Sequence, residues 1–313
     1  MLMNPLGVIP SQRFGRYQLL SRVGEGGMAE IFRAEVVDER GEIETTILKL
    51  LRDDADSEIQ DLFELEADLM NLLDHPNLVA RLEVGEAGGR SFIAMEDLYG
   101  GDLRTLMNSH HATSDGVPLD KTLHVVGEVL RGLAYFHQAR SATGQPLELI
   151  HGDVNPSNVF LSVDSTVKLG DFGVATAAGI GSGLQLPPGM AMGKKHYLAP
   201  EILAGEGRSQ SADLFAVGVM LYELVVGYRP FDGESDQEIF QAIAETKVEI
   251  PSGLVDDSMR RILRRALSHA PKARYPTAGA FCGALVRYQL DEGHQLPPGE
   301  FAAYLAQMLG VIA

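Results

Sequence analysis

Three oxygen-bearing side chains stand in a fixed order in residues 149–175, LIHGDVNPSNVFLSVDSTVKLGDFGVA: Asp153, Asn158 and Asp171. Residues 159–161 and 167–169 read as short apolar strands joined by the polar turn Val163-Asp164-Ser165. A hairpin of that kind carries Asp171 back beside Asn158. Two oxygen ligands converging on one point suit a divalent cation, and a third carboxylate nearby suits a base. Asn158 and Asp171 are therefore the candidate metal ligands and Asp153 the candidate catalytic carboxylate. The chemistry implied is phosphoryl transfer from Mg-ATP.

Two features upstream fit the same chemistry. Gly24, Gly26 and Gly27 lie in Val23-Gly24-Glu25-Gly26-Gly27-Met28-Ala29. Glycines there let backbone amides approach phosphates with no Cβ in the way. Gly24-x-Gly26-x-x-Ala29 also matches a dinucleotide fingerprint, but that motif needs a helix next, and residues 30–35 read as a strand. Further on, Lys49 sits in the apolar run Ile47-Leu48-Lys49-Leu50. Glu66 falls within the apolar helical stripe of Leu62, Phe63, Leu69, Met70 and Leu73, so it points inward. A buried carboxylate is costly unless a cation pairs with it. A Lys49–Glu66 pair satisfies both groups and aims the ammonium at the α- and β-phosphates.

The elements that must position these groups divide into two parts. Residues 17–23, 30–37 and 44–51 read as strands, 57–73 as a helix, and 78–84 and 91–96 as two further strands. From about residue 100 the pattern is helical: 102–107, 119–138, 212–226, 236–245, 258–268 and 277–290. The expected fold class is α+β, with a small β-rich lobe over 17–97 and a larger helical lobe over 98–290. Residues 1–16 are expected to be an N-terminal extension and 291–313 a helical tail. Phe301, Leu305, Met308 and Leu309 would share one face of that tail and pack it on the larger lobe.

Composition bounds the function classes. The 313 residues are 45% hydrophobic and 22% charged, an ordinary globular mix. A net charge of -17 argues against nucleic acid as a partner and would suit basic protein substrates. The single cysteine, Cys282, cannot form an internal disulfide, which fits a reducing cytoplasm. MLMNPLGVIP does not read as a signal peptide, and no run of about 18 apolar residues is present to span a membrane. Residues 53–74 hold nine acidic residues and no Lys or Arg, which reads as a solvated helix face.

In their order and spacing these motifs resemble the protein-kinase family, most closely the eukaryotic-like bacterial Ser/Thr kinases. The resemblance implies a two-lobed kinase fold, ATP with Mg²⁺ (or Mn²⁺) as cofactors, and protein substrates. Phe92-Ile93-Ala94-Met95-Glu96-Asp97-Leu98 resembles the segment linking the lobes. It implies that backbone groups of Glu96 and Leu98 meet the adenine. The same likeness has Ile31, Ile47, Met95 and Phe160 line a tight adenine slot, with Asp102 meeting the ribose or a substrate arginine. Ala199-Pro200-Glu201, Asp213 and Arg274 match the end of the activation segment, the prop of the catalytic loop and the partner of Glu201.

Two departures from the family pattern fall at the site. His151-Gly152-Asp153 lacks the family's arginine at Gly152, which predicts activity independent of activation-segment phosphorylation. Asn155 stands where the family has a lysine that contacts the transferring phosphate, while Lys194 stands where it usually has a threonine. The reading is that Lys194 supplies the missing cation. The loss at Asn155 leaves a pseudokinase, a nucleotide-binding regulatory module, as the alternative. A small-molecule phosphotransferase is a further one, since such enzymes share the His-Gly-Asp pattern.

Overall fold

The computed structural model describes residues 7–38, 40–113, 116–173, 194–251 and 253–310. Its N-terminal lobe is a six-stranded antiparallel sheet with one helix. The strands are β1 (Gly7–Phe14), β2 (Tyr17–Glu25), β3 (Ala29–Val37) and β4 (Ile43–Leu51). The helix α1 (Ser57–Leu72) follows, then β5 (Arg81–Ala87) and β6 (Arg90–Glu96), and the sheet order is β1-β2-β3-β4-β6-β5. Side chains alternate between faces along a strand. Tyr17, Leu19, Phe32, Leu48, Leu50 and Phe92 pack together on one face. The register sets Ile31 opposite Lys49 and Ile47 opposite Met95, so these four share the other face.

Residues 7–14 add β1 to the edge of this sheet. Pro10 has no N–H to donate, which bars it from a central strand but not from an edge or an irregular stretch. It falls within the register shift between Val8 and Gln12. Phe14 then closes the sheet edge-on against Phe92, with ring centroids 5.7 Å apart.

Helix α1 begins at Asp56, whose carboxylate accepts from the Ile59 amide at 2.9 Å. Its buried stripe includes Leu62, Phe63, Leu69 and Met70, with Glu66 in the middle. The strand expected at 78–84 is displaced. Residues 77–79 instead tie onto the other lobe, Val79 N–H donating to Leu169 C=O and Leu169 N–H to Asn77 C=O.

The C-terminal lobe opens with β7 (Gly100–Asp102), α2 (Leu103–Thr113) and α3 (Leu119–His137). The strands β8 (Val159–Ser162) and β9 (Val167–Leu169) complete a small antiparallel sheet in the order β7-β8-β9. Then come α4 (Pro200–Leu203), α5 (Gln210–Val226), α6 (Asp236–Glu245), α7 (Asp257–Ala266) and α8 (Ala278–Glu292). Helix α5 is buried nearly all round, as its almost unbroken apolar sequence requires, and packs against α3 and α7. The last helix, α9 (Glu300–Leu309), buries Phe301, Leu305 and Leu309 against the larger lobe. Tyr304 meets His110 of α2 there, and Lys121 of α3 meets Glu300. Among the described residues no helix is long and apolar enough to cross a membrane.

Candidate active site

The loop carrying Asp153 hangs from a buried carboxylate. Asp213, near the start of α5, accepts from the His151 and Gly152 amides at 2.9 Å each and from His137 Nε2 at 2.8 Å. Asn155 is fully buried and its side chain is used locally. Its Oδ1 accepts from the Ser157 amide at 3.0 Å, capping a short 3₁₀ turn, and its Nδ2 donates to Asp153 C=O at 3.0 Å. Asn158, at the end of that turn, donates from Nδ2 to Asp153 C=O (2.8 Å) and to Asp153 Oδ2 (3.0 Å). With its donors so used, the Asn158 amide presents oxygen as its ligand atom.

The hairpin β8–β9 returns the chain as its sequence implies, and Gly170 N–H donates to Asn158 C=O at 2.9 Å. Asp171 follows with φ +62°, a left-handed conformation that aspartate tolerates better than most residues. Its carboxylate is 49% exposed and lies 3.1 Å from Lys49 Nζ. Lys49 holds the Asp171 carboxyl below the usual carboxylate range, so it stays ionised. Phe172 stacks on Phe136 at 5.5 Å and fixes the turn from beneath.

Lys49 Nζ reaches Glu66 Oε2 at 2.6 Å, and both residues are buried. Burial works against the ammonium, but Asp171 and Glu66 outweigh it and keep Lys49 protonated. Gly173 makes room for this pair: a Cβ there would lie 2.8 Å from Met28 Cε and 3.0 Å from Glu66 Oε2.

These groups face one cleft of about 590 Å³ between the lobes. Gly24, Gly26 and Gly27 form its roof, and Ile31, Ile47, Met95 and Phe160 line its apolar end beside Glu96 and Leu98. The Glu96 carboxylate is directed away, accepting from the Ala80 amide and Lys168 Nζ at 2.6 Å each. Asp153, Asn158 and Asp171 line the opposite end. Burial pushes the Asp153 carboxyl above the ordinary aspartate range, opposed by the Lys194 amide, which donates to Oδ1 at 3.1 Å. Lys194 also lines the cleft, its exposed ammonium donating to Ser157 Oγ at 2.6 Å.

Asp102 is not among the residues lining the cleft; its Oδ1 accepts from the Thr105 amide at 2.7 Å and caps α2. An aspartate before a helical run is an N-cap by default, and that signal was present in the sequence. Conversely, Val79, Met28 and Ser157 line the cleft without having been singled out. Ser157 was within reach of sequence reasoning, since it lies between Asp153 and Asn158. Val79 arrives only because residues 77–79 cross to β9.

Outside the cleft, Arg274 and Glu201 form a buried bidentate pair at 2.7 Å on each arm. Arg274 also donates to the Ser268 and His269 carbonyls, anchoring α4 to the chain before α8.

Residues 17–283 match the family model described as protein kinase domain. The chain belongs to the protein kinase family. It is 35% identical over 304 residues to tyrosine-protein kinase MasK of Myxococcus xanthus, covering 94% of this chain and 47% of that protein. It is 33% identical over 273 residues to serine/threonine-protein kinase PrkC of Bacillus subtilis, covering 84% and 39%. Serine/threonine-protein kinase PksC of Streptomyces coelicolor is 33% identical over 275 residues, covering 85% and 48%. The chain thus spans less than half the length of each of these three relatives.

Proposed function

We propose that this kinase transfers the γ-phosphoryl group of ATP to serine and threonine hydroxyls of protein substrates. The observation that carries the reading is the chain of charges Glu66–Lys49–Asp171, at 2.6 and 3.1 Å, in the same cleft as Asn158 and Asp153. Each member is placed for one task. The glycine-roof amides and Lys49 would bind the phosphates, and Asp153 would accept the proton of the acceptor hydroxyl.

The donor set fits Mg²⁺ or Mn²⁺: the ionised carboxylate of Asp171 and the amide oxygen of Asn158 are hard oxygen ligands facing the same space. When bound, such a cation neutralises phosphate charge as transfer proceeds. Lys194 would add a second positive charge, swinging from Ser157 toward the γ-phosphoryl oxygens while its amide stays on Asp153. Asn155 cannot do this, because its side chain is buried in the turn.

The joint presence of Lys49, Glu66, Asn158 and Asp171 disfavours the pseudokinase alternative. Glu201 and Arg274 disfavour a small-molecule phosphotransferase, since they brace a floor beside Asp153 suited to an extended peptide. The -17 charge suits basic protein substrates rather than nucleic acid, and the buried thiol of Cys282 suits the cytoplasm. Serine and threonine are favoured by the names of PrkC and PksC, while MasK is named for tyrosine. Phosphoamino-acid analysis of a generic protein labelled from radioactive ATP decides this. Phosphoserine and phosphothreonine are expected, and phosphotyrosine alone would contradict the reading.

A further inference from the structure

Gly152 has φ +75°, and its open face is already occupied. An ideal Cβ on it would lie 2.5 Å from Arg208 Nη1, 3.2 Å from Cζ and 3.3 Å from Cδ. The side chain of Arg208 therefore runs directly across the glycine. Arg208 belongs to the turn between α4 and α5, where Gly205 (φ +80°) and Gly207 (φ +89°) fold the chain back. Ser209 then caps α5 through the Ala212 amide at 3.1 Å, fixing the backbone just after Arg208. The half-buried guanidinium faces two carboxylates, Asp213 and Asp153, beneath the catalytic loop. Gly152 carries no guanidinium of its own, but one reaches this place from 56 residues further along the chain.

We propose that Arg208 is a positioning residue for phosphoryl transfer. Its cation sits in the space Gly152 leaves and holds the 151–153 backbone down on Asp213. That keeps the Asp153 carboxylate aimed at the acceptor hydroxyl. Glycine at 152 is then required for space as well as for its backbone conformation. A small displacement of the base lowers turnover more than nucleotide affinity, because Asp153 meets the acceptor and not the adenine. The inference rests on the kinase reading above, and wild-type turnover of ATP onto protein separates failure of that reading from failure of this one.

The test uses Arg208→Ala and Arg208→Gln, each with Mg-ATP affinity measured by calorimetry. Both variants are expected to lose about tenfold or more in kcat while ATP affinity stays within about twofold. Added guanidinium ion restores turnover of Arg208→Ala, and urea, of the same shape without charge, does not. Arg208→Lys retains more activity than Arg208→Gln. Gly152→Ala is expected to harm the wild type more than the Arg208→Ala background, because the clash has gone. If Arg208→Ala does not fold, Arg208→Gln and Arg208→Lys carry the comparison. Turnover of Arg208→Gln within twofold of wild type, equal rescue by urea, or a matching loss of ATP affinity overturns the inference.

Discussion

Replacing Lys194 by threonine puts the proposed relocation of charge to a direct test. The backbone of Lys194 is pinned to Asp153 Oδ1 at 3.1 Å, so its side chain starts beside the acceptor site. Among the described residues its ammonium donates to a neutral hydroxyl, Ser157 Oγ, at 2.6 Å. Releasing a single such hydrogen bond costs about 1 kcal/mol. A unit charge about 4 Å from a phosphoryl oxygen gains about 4 kcal/mol at an effective dielectric of about 20. The swing toward phosphate is therefore favourable. One preorganised charge donor is typically worth about 10²–10³ in kcat, and the exposure of Lys194 places it at the lower end. Lys194→Thr should thus cut kcat about 10²-fold in a single-turnover assay, with ATP affinity within about threefold. Ser157→Ala, which only releases the ammonium, should change kcat by less than about threefold. Adding Asn155→Lys to Lys194→Thr should recover only part of the loss. The new lysine returns a cation, but it removes a buried cap worth about 1 kcal/mol from the turn that holds Asn158. If Lys194→Thr turns over within threefold of wild type, the cation has not moved to this residue.

Other parts of the account make their own predictions. Gly173→Ala should raise the KM for ATP about tenfold, or ~1.4 kcal/mol, by driving a methyl to within 3.0 Å of Glu66 Oε2 and parting it from Lys49; steady-state kinetics reads this. Asp171→Asn should weaken Mg-ATP binding in a calorimetric titration, since it removes both the metal's carboxylate and a partner of Lys49. Arg274→Ala should lower stability by about 3–5 kcal/mol, because it strands the Glu201 carboxylate in the interior. Chemical denaturation measures that loss.

The grouping of these side chains around one cleft was legible in the sequence wherever local spacing decides geometry. A hairpin must bring Asp171 to Asn158, and a carboxylate in an apolar helix stripe must find a cation, as Glu66 does with Lys49. Legibility ended where tertiary placement overrides local pattern. Pro10 lacks a donor, yet it falls in an edge strand where none is needed. Asp102 also caps α2, one carboxylate oxygen accepting from the Thr105 amide, a use that its place before a helical run could have announced. Residues 78 and 79 read as the start of a strand, while the competing carbonyl and amide of Leu169 tie 77–79 to the other lobe. Arg208 could not be paired with Gly152 from spacing, because only the two left-handed glycines before it turn it inward. At residues 77–79 and at Arg208 a partner distant in the chain decided the placement.

The most direct test of the central claim is transfer of labelled phosphate from Mg-ATP to protein by the wild type and by Asp153→Asn in parallel, with ATP affinity measured on both. Asp153 lines the cleft at the end away from Ile47 and Met95, and its carboxylate contacts Asn158 and the Lys194 amide. The account predicts sustained transfer by the wild type, with turnover by Asp153→Asn lowered at least 10²-fold and ATP affinity nearly unchanged. A wild type that binds ATP but labels no protein, or an Asp153→Asn variant as active as the wild type, would contradict it.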